Sequence, residues 1–515
     1  MGLDRRSFLR NGLVAGGGAA LLGTGPGAAA LVRSGRPQIT HGVQSGDMSA
    51  HGGVVWTRAD RPSRMLVDVS TRPDFKRFST VRGPLLTPDT DLTGKVRLDG
   101  LPAGEQIHYR VRAADLHDAS LTSAPVPGAF RTAPRTRRDV SFVWSGDLAG
   151  QGFGINPDIG GYRIFKAIQA TDPDFFLCNG DHWYADNPIL PSVTLPDGRI
   201  YRNLTTPEKS KVAETLAEYR GQHKYNLMDD NLRALAAAIP QINQWDDHET
   251  HNNWYPGEIL DDPNYTEKRT DVLSVRARQA FFEYLPITQQ QHQDGRIYRK
   301  ISYGPLLDVF VLDMRTYRNA NGPDNQTTDD QGILGARQAA WLKSSLAASK
   351  ATWKIVAADM PLSLVVPDAD RIEAVSQGDN GTPLGRELQM AGVLSSIKKH
   401  RVRNVVWITT DVHYAAAHYY DPNKAQFQDF EPFWEFVSGP LHAGTFGPNE
   451  LDNTFGPEVR FIKAPGLDKQ NLPPSAGMQF FGHVKIEGTT GQMTVTLRDR
   501  ADVALWSTKL DPKAS

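Results

Sequence analysis

Phe175-Phe176-Leu177-Cys178-Asn179-Gly180-Asp181-His182-Trp183-Tyr184 runs from an unbroken apolar stretch into a glycine, a carboxylate, an imidazole and a phenol. A short apolar run closed by a glycine turn reads as a strand buried on both faces. Ligand-type side chains then stand at its carboxyl end. The pattern recurs. Val140–Trp144 is followed by Gly146-Asp147, Ile239–Ile242 leads into Trp245-Asp246-Asp247-His248-Glu249, and Val405–Ile408 ends in Thr410-Asp411-Val412-His413. In an open α/β sheet ligands bind beyond the carboxyl ends of the strands, so four such clusters can converge on one place. The fold class is therefore α/β, and the clusters point to a metal-dependent hydrolase.

Working outward, strands alternate with helices from Asp139 onward. Helical periodicity covers Tyr162–Ile168, Lys209–Arg220, Asn231–Ala238, Val275–Tyr284, Ala336–Ser349 and Leu384–His400. A hairpin is predicted near 297–312, a strand at 353–358, and only strands after the fourth cluster. The stretch 183–207 has little periodicity and reads as a loop over the site. Before Asp139 the pattern is short strands and turns without a convincing helix, so residues 38–132 are predicted to form a separate all-β sandwich. A linker rich in proline and arginine follows at 125–138. The predicted organisation is a leader at 1–30, the β-sandwich at 38–132 and a catalytic domain at 139–512.

The chain has 515 residues, 22% of them charged, and a formal net charge of −1. That length buries a sizeable core and favours two domains. No block of like charge appears, so charge implies neither nucleic acid nor an anionic membrane surface. Asp4-Arg5-Arg6-Ser7-Phe8-Leu9-Arg10, an apolar Gly/Ala/Leu stretch and Ala28-Ala29-Ala30 resemble a twin-arginine export signal with its cleavage site. The expected partner during export is the twin-arginine translocase, and the expected destination is extracytoplasmic. The leader's apolar run is short and contains Pro26, which disfavours a membrane anchor. No later segment is apolar enough to span a bilayer. Cys178 is the single cysteine, so no internal disulfide forms, and a buried thiol is favoured over a ligand.

Ligand chemistry divides the clusters into two sites. Asp147, Tyr184 and His413 form a mixed oxygen and nitrogen set, and a phenolate favours a trivalent ion such as Fe³⁺. Asp247 and Asp411 are hard carboxylates that suit Ca²⁺, Mg²⁺ or Mn²⁺. Asp181 is the natural bridge. Two such ions clamp a phosphoryl group and activate water for in-line attack. His248 is left to donate to the phosphate or to protonate the leaving group, unless it is a structural histidine bonded to Asp246 or Glu249. Asp359 is a candidate for a further ligand, or a turn residue before Pro361. Arg315 and Arg318 can bind phosphate oxygens or form salt bridges. His182 and Trp183 can line the pocket, with Trp183 more often core. Residues 251–253 either support the site or cap the next loop.

The order Asp147, Gly180-Asp181, Tyr184, Asp247-His248-Glu249, Asp411 and His413 resembles the calcineurin-like metallophosphoesterases. Together with Trp245–Glu249 and Asp313-Met314-Arg315-Thr316-Tyr317-Arg318 it is most similar to the PhoD family of alkaline phosphatases and phosphodiesterases, relatives of the purple acid phosphatases. The resemblance covers essentially the whole mature chain. It implies a β-sheet sandwich flanked by helices behind an all-β, fibronectin-III-like domain. It implies iron (Fe³⁺) held by Asp147, Asp181, Tyr184 and His413, and calcium (Ca²⁺) held by Asp181, Asp247 and Asp411. In purple acid phosphatases the positions matched by Asp247 and Asp411 are Asn and His, so this chain's second site is shifted from zinc-like toward calcium-like. The implied activity is hydrolysis of a phosphate mono- or diester, most active at alkaline pH, by a metal-bound hydroxide. One rival keeps the centre and turns it on phospholipid diesters, as a phospholipase D does. The other is a secreted, non-catalytic binding protein, which would require broken ligand positions.

Overall fold

The computed structural model describes residues 35–288, 295–328 and 332–513. The leader at 1–30 lies outside the described residues. Two mixed sheets stack face to face. The first has nine strands in the order Ala504–Leu510, Met493–Asp499, Phe480–Ile486, Val140–Ser145, Phe175–Asn179, Gln241–Gln244, Ile39–Ser49, Gly52–Ala59 and Thr93–Leu98. The second has seven, in the order Arg299–Ser302, Leu307–Val311, Trp353–Ala357, Val405–Thr409, Phe433–Ser438, Ala415–Tyr420 and Pro457–Lys463. The cluster-bearing strands are parallel at the centre of each sheet.

Strand periodicity explains why these runs read as continuously apolar. Phe142, Trp144, Phe175, Leu177, Val309, Ile355, Val406 and Ile408 point between the sheets into one core. Their neighbours point the other way, into helices. Phe310, Val356 and Trp407 meet helices Gly335–Ala348 and Arg386–Lys399. Val143, Phe176 and Cys178 meet helices Ile164–Ala170 and Asp230–Ala238. Both faces of each central strand are buried, as parallel strands require.

The amino-terminal region is fused to the catalytic sheet rather than strung ahead of it. Gln106–Ala114 and three neighbours form a four-stranded sheet. Its partner layer, Ile39–Ser49 with Gly52–Ala59 and Thr93–Leu98, continues the nine-stranded sheet through the parallel pairing of Gly46 with Gln241. Glycine is required there: a Cβ on residue 46 would lie 2.5 Å from the Gln241 carbonyl oxygen.

One helix begins later than its periodicity suggests. Leu216–Asn226 starts after Thr215, whose side chain accepts the Glu218 N–H while Glu218 accepts the Thr215 N–H. This capping box, and not the apolar pattern, sets the boundary. The 183–207 stretch is mostly loop but contains a short hairpin, Ser192–Thr194 with Ile200–Arg202. Strands Ala415–Tyr420 and Pro457–Lys463 were not anticipated. No helix among the described residues is long and apolar enough to cross a membrane.

Candidate metal centre

Asp147, Asp181 and Asp246-Asp247 follow strands of the first sheet, and Asp359 and Asp411 follow strands of the second. The sheets are bolted together just beneath them. Asn179 Nδ2 donates to Ala358 O at 3.0 Å and Ile408 O at 2.9 Å, and Thr410 Oγ1 donates back to Asn179 O at 2.9 Å. Gly180, at φ +104°, turns the chain there; a Cβ on it would stand 2.6 Å from the Asp246 Cβ. Glu249 braces the rims by accepting the His182 N–H at 2.6 Å and the Asp246 N–H at 2.9 Å.

Four proposed ligands occupy left-handed backbone: Asp147 at φ 66°, Asp181 at 49°, Asp411 at 70° and His413 at 61°. Each such residue costs about 1–3 kcal/mol. The turn takes each residue off its strand direction and aims it at a shared centre. Three groups of ligand atoms result, each within 4.8 Å: Asp147 with Asp181 and His413, Asp181 with Asp247 and His248, and Asp246 with Asp247 and Asp411. Tyr184 joins the first, its hydroxyl 2.8 Å from His413 Nε2. His413 donates from Nδ1 to the Gly444 carbonyl at 2.5 Å, which turns Nε2 toward Tyr184 and Asp147. Asp411 is half-buried and the other members are buried, so the site opens on its side.

The electrostatics demand cations. Neither carboxylate oxygen of Asp147 accepts a hydrogen bond of ordinary geometry, and one oxygen each of Asp246 and Asp247 is also bare and buried. Orphaned buried carboxylates are costly and rare. Burial pushes the Asp147, Asp181 and Asp411 carboxyls well above the usual range, and neighbouring carboxylates add to it. Burial lowers His413 to about 4, leaving the neutral imidazole a metal needs. Burial would also raise Asp247, but His248, Arg315 and the Asn253 N–H outweigh it and hold it at about 2. The donor set is rich in oxygen with one imidazole and one phenol, and it fits hard cations.

His248 is bonded to neither Asp246 nor Glu249. Its Nδ1 meets Asp186 at 2.8 Å, and its ring lies 4.0 Å from the Tyr184 ring. Burial would depress it, but Asp186, Asp247 and Asp246 raise it to about 9. Asp186 is the site residue that sequence reasoning missed. It also accepts the Asn252 N–H at 2.8 Å, and the Asn253 N–H bonds Asp247 at 2.5 Å, so residues 252–253 support the site.

One expectation gives way. Arg315 does not face a substrate: its side chain is 0% exposed, pairing with Asp246 at 2.5 Å, with Glu373, and with Asp359 at 3.7 Å. With Asp247 at 4.0 Å, four carboxylates around one guanidinium hold it in the protein interior. Arg318 is likewise buried against Glu373. Asp359 stands in none of the three groups; it lies beside Asp246 and Arg315, and its Oδ2 is buried without a hydrogen-bond partner. His182 and Trp183 pack against Phe281 instead of facing the clusters, and Cys178 is a buried free thiol in the helix layer.

A profile of the PhoD-like phosphatase family matches residues 142–497, and one of that family's amino-terminal domain matches residues 27–134. The chain is 28% identical over 442 residues to alkaline phosphatase D of Bacillus subtilis (strain 168), covering 81% of this chain and 71% of that protein. In fold it is similar to a solved PhoD structure, with TM-score 0.69, 21% identity and coverage of 93% and 90% of the two chains. A purple acid phosphatase from yellow lupin (Lupinus luteus) seeds follows with TM-score 0.56, 13% identity and coverage of 93% and 74%.

Proposed function

This chain belongs to the PhoD-like phosphatase family and is a metal-dependent phosphoesterase; from that premise we propose that it hydrolyses phosphate mono- or diesters at a two-ion iron and calcium centre, at alkaline pH. The observation that carries the proposal is Asp181. Its carboxylate belongs at once to the group with Asp147 and His413 and to the group with Asp247 and His248, as a bridging ligand must. On this reading Asp147, Tyr184, His413 and Asp181 hold Fe³⁺, and Asp181, Asp247 and Asp411 hold Ca²⁺, with Asp246 adjoining the second site. When bound, such ions would offset the charge of these acids and of the phosphate and would supply an activated water as the nucleophile.

The chain's own residues do the rest. His248, held at Nδ1 by Asp186, keeps Nε2 for the phosphate or the leaving oxygen. Arg315 stays behind the site and offsets part of its negative charge through Asp246. The Asn253 N–H fixes one Asp247 oxygen. Asp181→Asn should reduce hydrolysis of an aryl phosphate to background in a protein with native circular dichroism. Activity near the native level would sink the bridging role.

Export through the twin-arginine route is part of the proposal. Its support is the Asp4–Arg10 motif upstream of the amino-terminal family domain, whose match starts at residue 27. Changing Arg5 and Arg6 to lysine should leave the precursor in the cytoplasm, measured by cell fractionation. Normal export would refute it.

A further inference from the structure

Lysine is almost never taken wholly out of water unless something holds its ammonium. Lys209 is 1% exposed, and its Nζ donates to the main-chain carbonyl of Tyr184 at 2.6 Å. The same residue accepts the Ile189 N–H on its own carbonyl at 2.8 Å. Lys209 thus grips the segment 184–189 at both ends. Two further bonds fix the middle: Ala185 N–H donates to His248 O and Ala213 N–H to Ala185 O, each at 2.8 Å. That segment carries Tyr184, 2.8 Å from His413, and Asp186, 2.8 Å from His248.

We propose that Lys209 is a positioning residue of the metal centre, which fixes the Tyr184–Asp186 loop so that the phenol meets the His413 group while the carboxylate meets His248. This rests on the reading of Tyr184 as a ligand and His248 as the donor to substrate. The side-chain amine acts through the carbonyl to which it donates. No other lysine or arginine side chain donates to a backbone carbonyl of this loop among the described hydrogen bonds. Loss of the Lys209 bond would leave Tyr184 O with the Asn187 N–H at 3.3 Å alone and loosen the loop at the point where two functional side chains depart from it.

Lys95 is the built-in comparison. Its Nζ also donates to one main-chain carbonyl at 2.6 Å, that of Phe282, but at the seam with the amino-terminal strands. Lys209→Met should lower kcat on an aryl phosphate by about 10–100-fold with KM within about twofold, the range for residues that orient metal ligands. Iron loss into a chelator, read by elemental analysis, should speed up about tenfold. Lys95→Met should change neither, although its melting temperature falls. An unchanged kcat per folded molecule and an unchanged iron loss in Lys209→Met would overturn the proposal, as would losses that only follow the folded fraction. Should Lys209→Met not fold, Lys209→Gln, shorter and neutral, is read against the same two criteria. Tyr184→Phe separates the premises. Iron loss unchanged in Tyr184→Phe but faster in Lys209→Met would defeat the ligand reading alone. The reverse pattern would defeat the Lys209 proposal alone.

Discussion

Asp47 and Asp147 are the same residue type at nearly the same burial, and they are treated in opposite ways. Asp47 sits where the amino-terminal strands meet the catalytic sheets. Its Oδ1 accepts Arg299 Nη2 at 2.8 Å and Nε at 3.1 Å, and its Oδ2 accepts the Thr288 N–H at 3.1 Å. Arg299 in turn donates to the carbonyls of Asn243 and Ile297. Asp147 has no comparable partner on either oxygen. A buried charge that is fully paired holds a seam together; one left bare costs stability and waits for a cation. On the proposed reading the first is structural and the second functional, although sequence context alone makes them look alike.

The contrast breaks first at Asp147. Asp147→Asn should bring hydrolysis to background, yet raise the melting temperature of the chelator-stripped protein, because it removes a buried carboxylate whose oxygens have no hydrogen-bond partner of ordinary geometry. A lower melting temperature in the stripped variant would show that Asp147 is paired after all. Arg299→Met should do the reverse. It strands Asp47 and should cost about 3–5 kcal/mol in urea unfolding, with kcat per folded molecule unchanged. A loss below about 1 kcal/mol would remove the seam's claim to be structural.

The smallest effect is in pH. In the metal-free fold the Asp147, Asp181 and Asp411 carboxyls titrate above their ordinary value of 3.8. Groups raised in the folded state contribute their stability below the unfolded value and lose it as pH rises through the folded one. The stripped protein should therefore melt at progressively lower temperature as pH rises above the ordinary carboxyl value of 3.8, and Asp147→Asn should flatten the slope. Metal-loaded protein, with its carboxylates neutralised, should lack the decline. A flat profile for the stripped native chain would argue against the mutual repulsion of these acids.

Much of the centre was legible because its signals are local. Phe175–Leu177 announces a strand by composition, Gly180 announces the turn, and Asp181 and Tyr184 follow at once. The same holds for Asp147, Asp247, Asp411 and His413. Arg315 carries the same local signal, a polar group just past a strand, and it misleads; Asp359 carries it too and keeps a bare, buried oxygen outside the three groups. Which way each points depends on Asp246 and Glu373, which are remote in sequence. Asp186 and Glu373 were missed because they lie in stretches without periodicity, where no pattern marks one acid from the next. The amino-terminal sandwich was expected to stand apart because nothing near Gly46 reveals Gln241 as its neighbour.

The sequence by itself determined the four cluster-bearing strands, their two buried faces, the ligand types at their ends and the family. Those properties follow from periodicity and turn chemistry within a few residues. The tertiary structure alone decided which acids are paired and which are bare, that Asp186 holds His248, and that Arg315 supports the site from behind. The physical reason is that charge compensation in a protein interior is set by distances of a few ångströms between residues hundreds of positions apart. No local pattern encodes that distance.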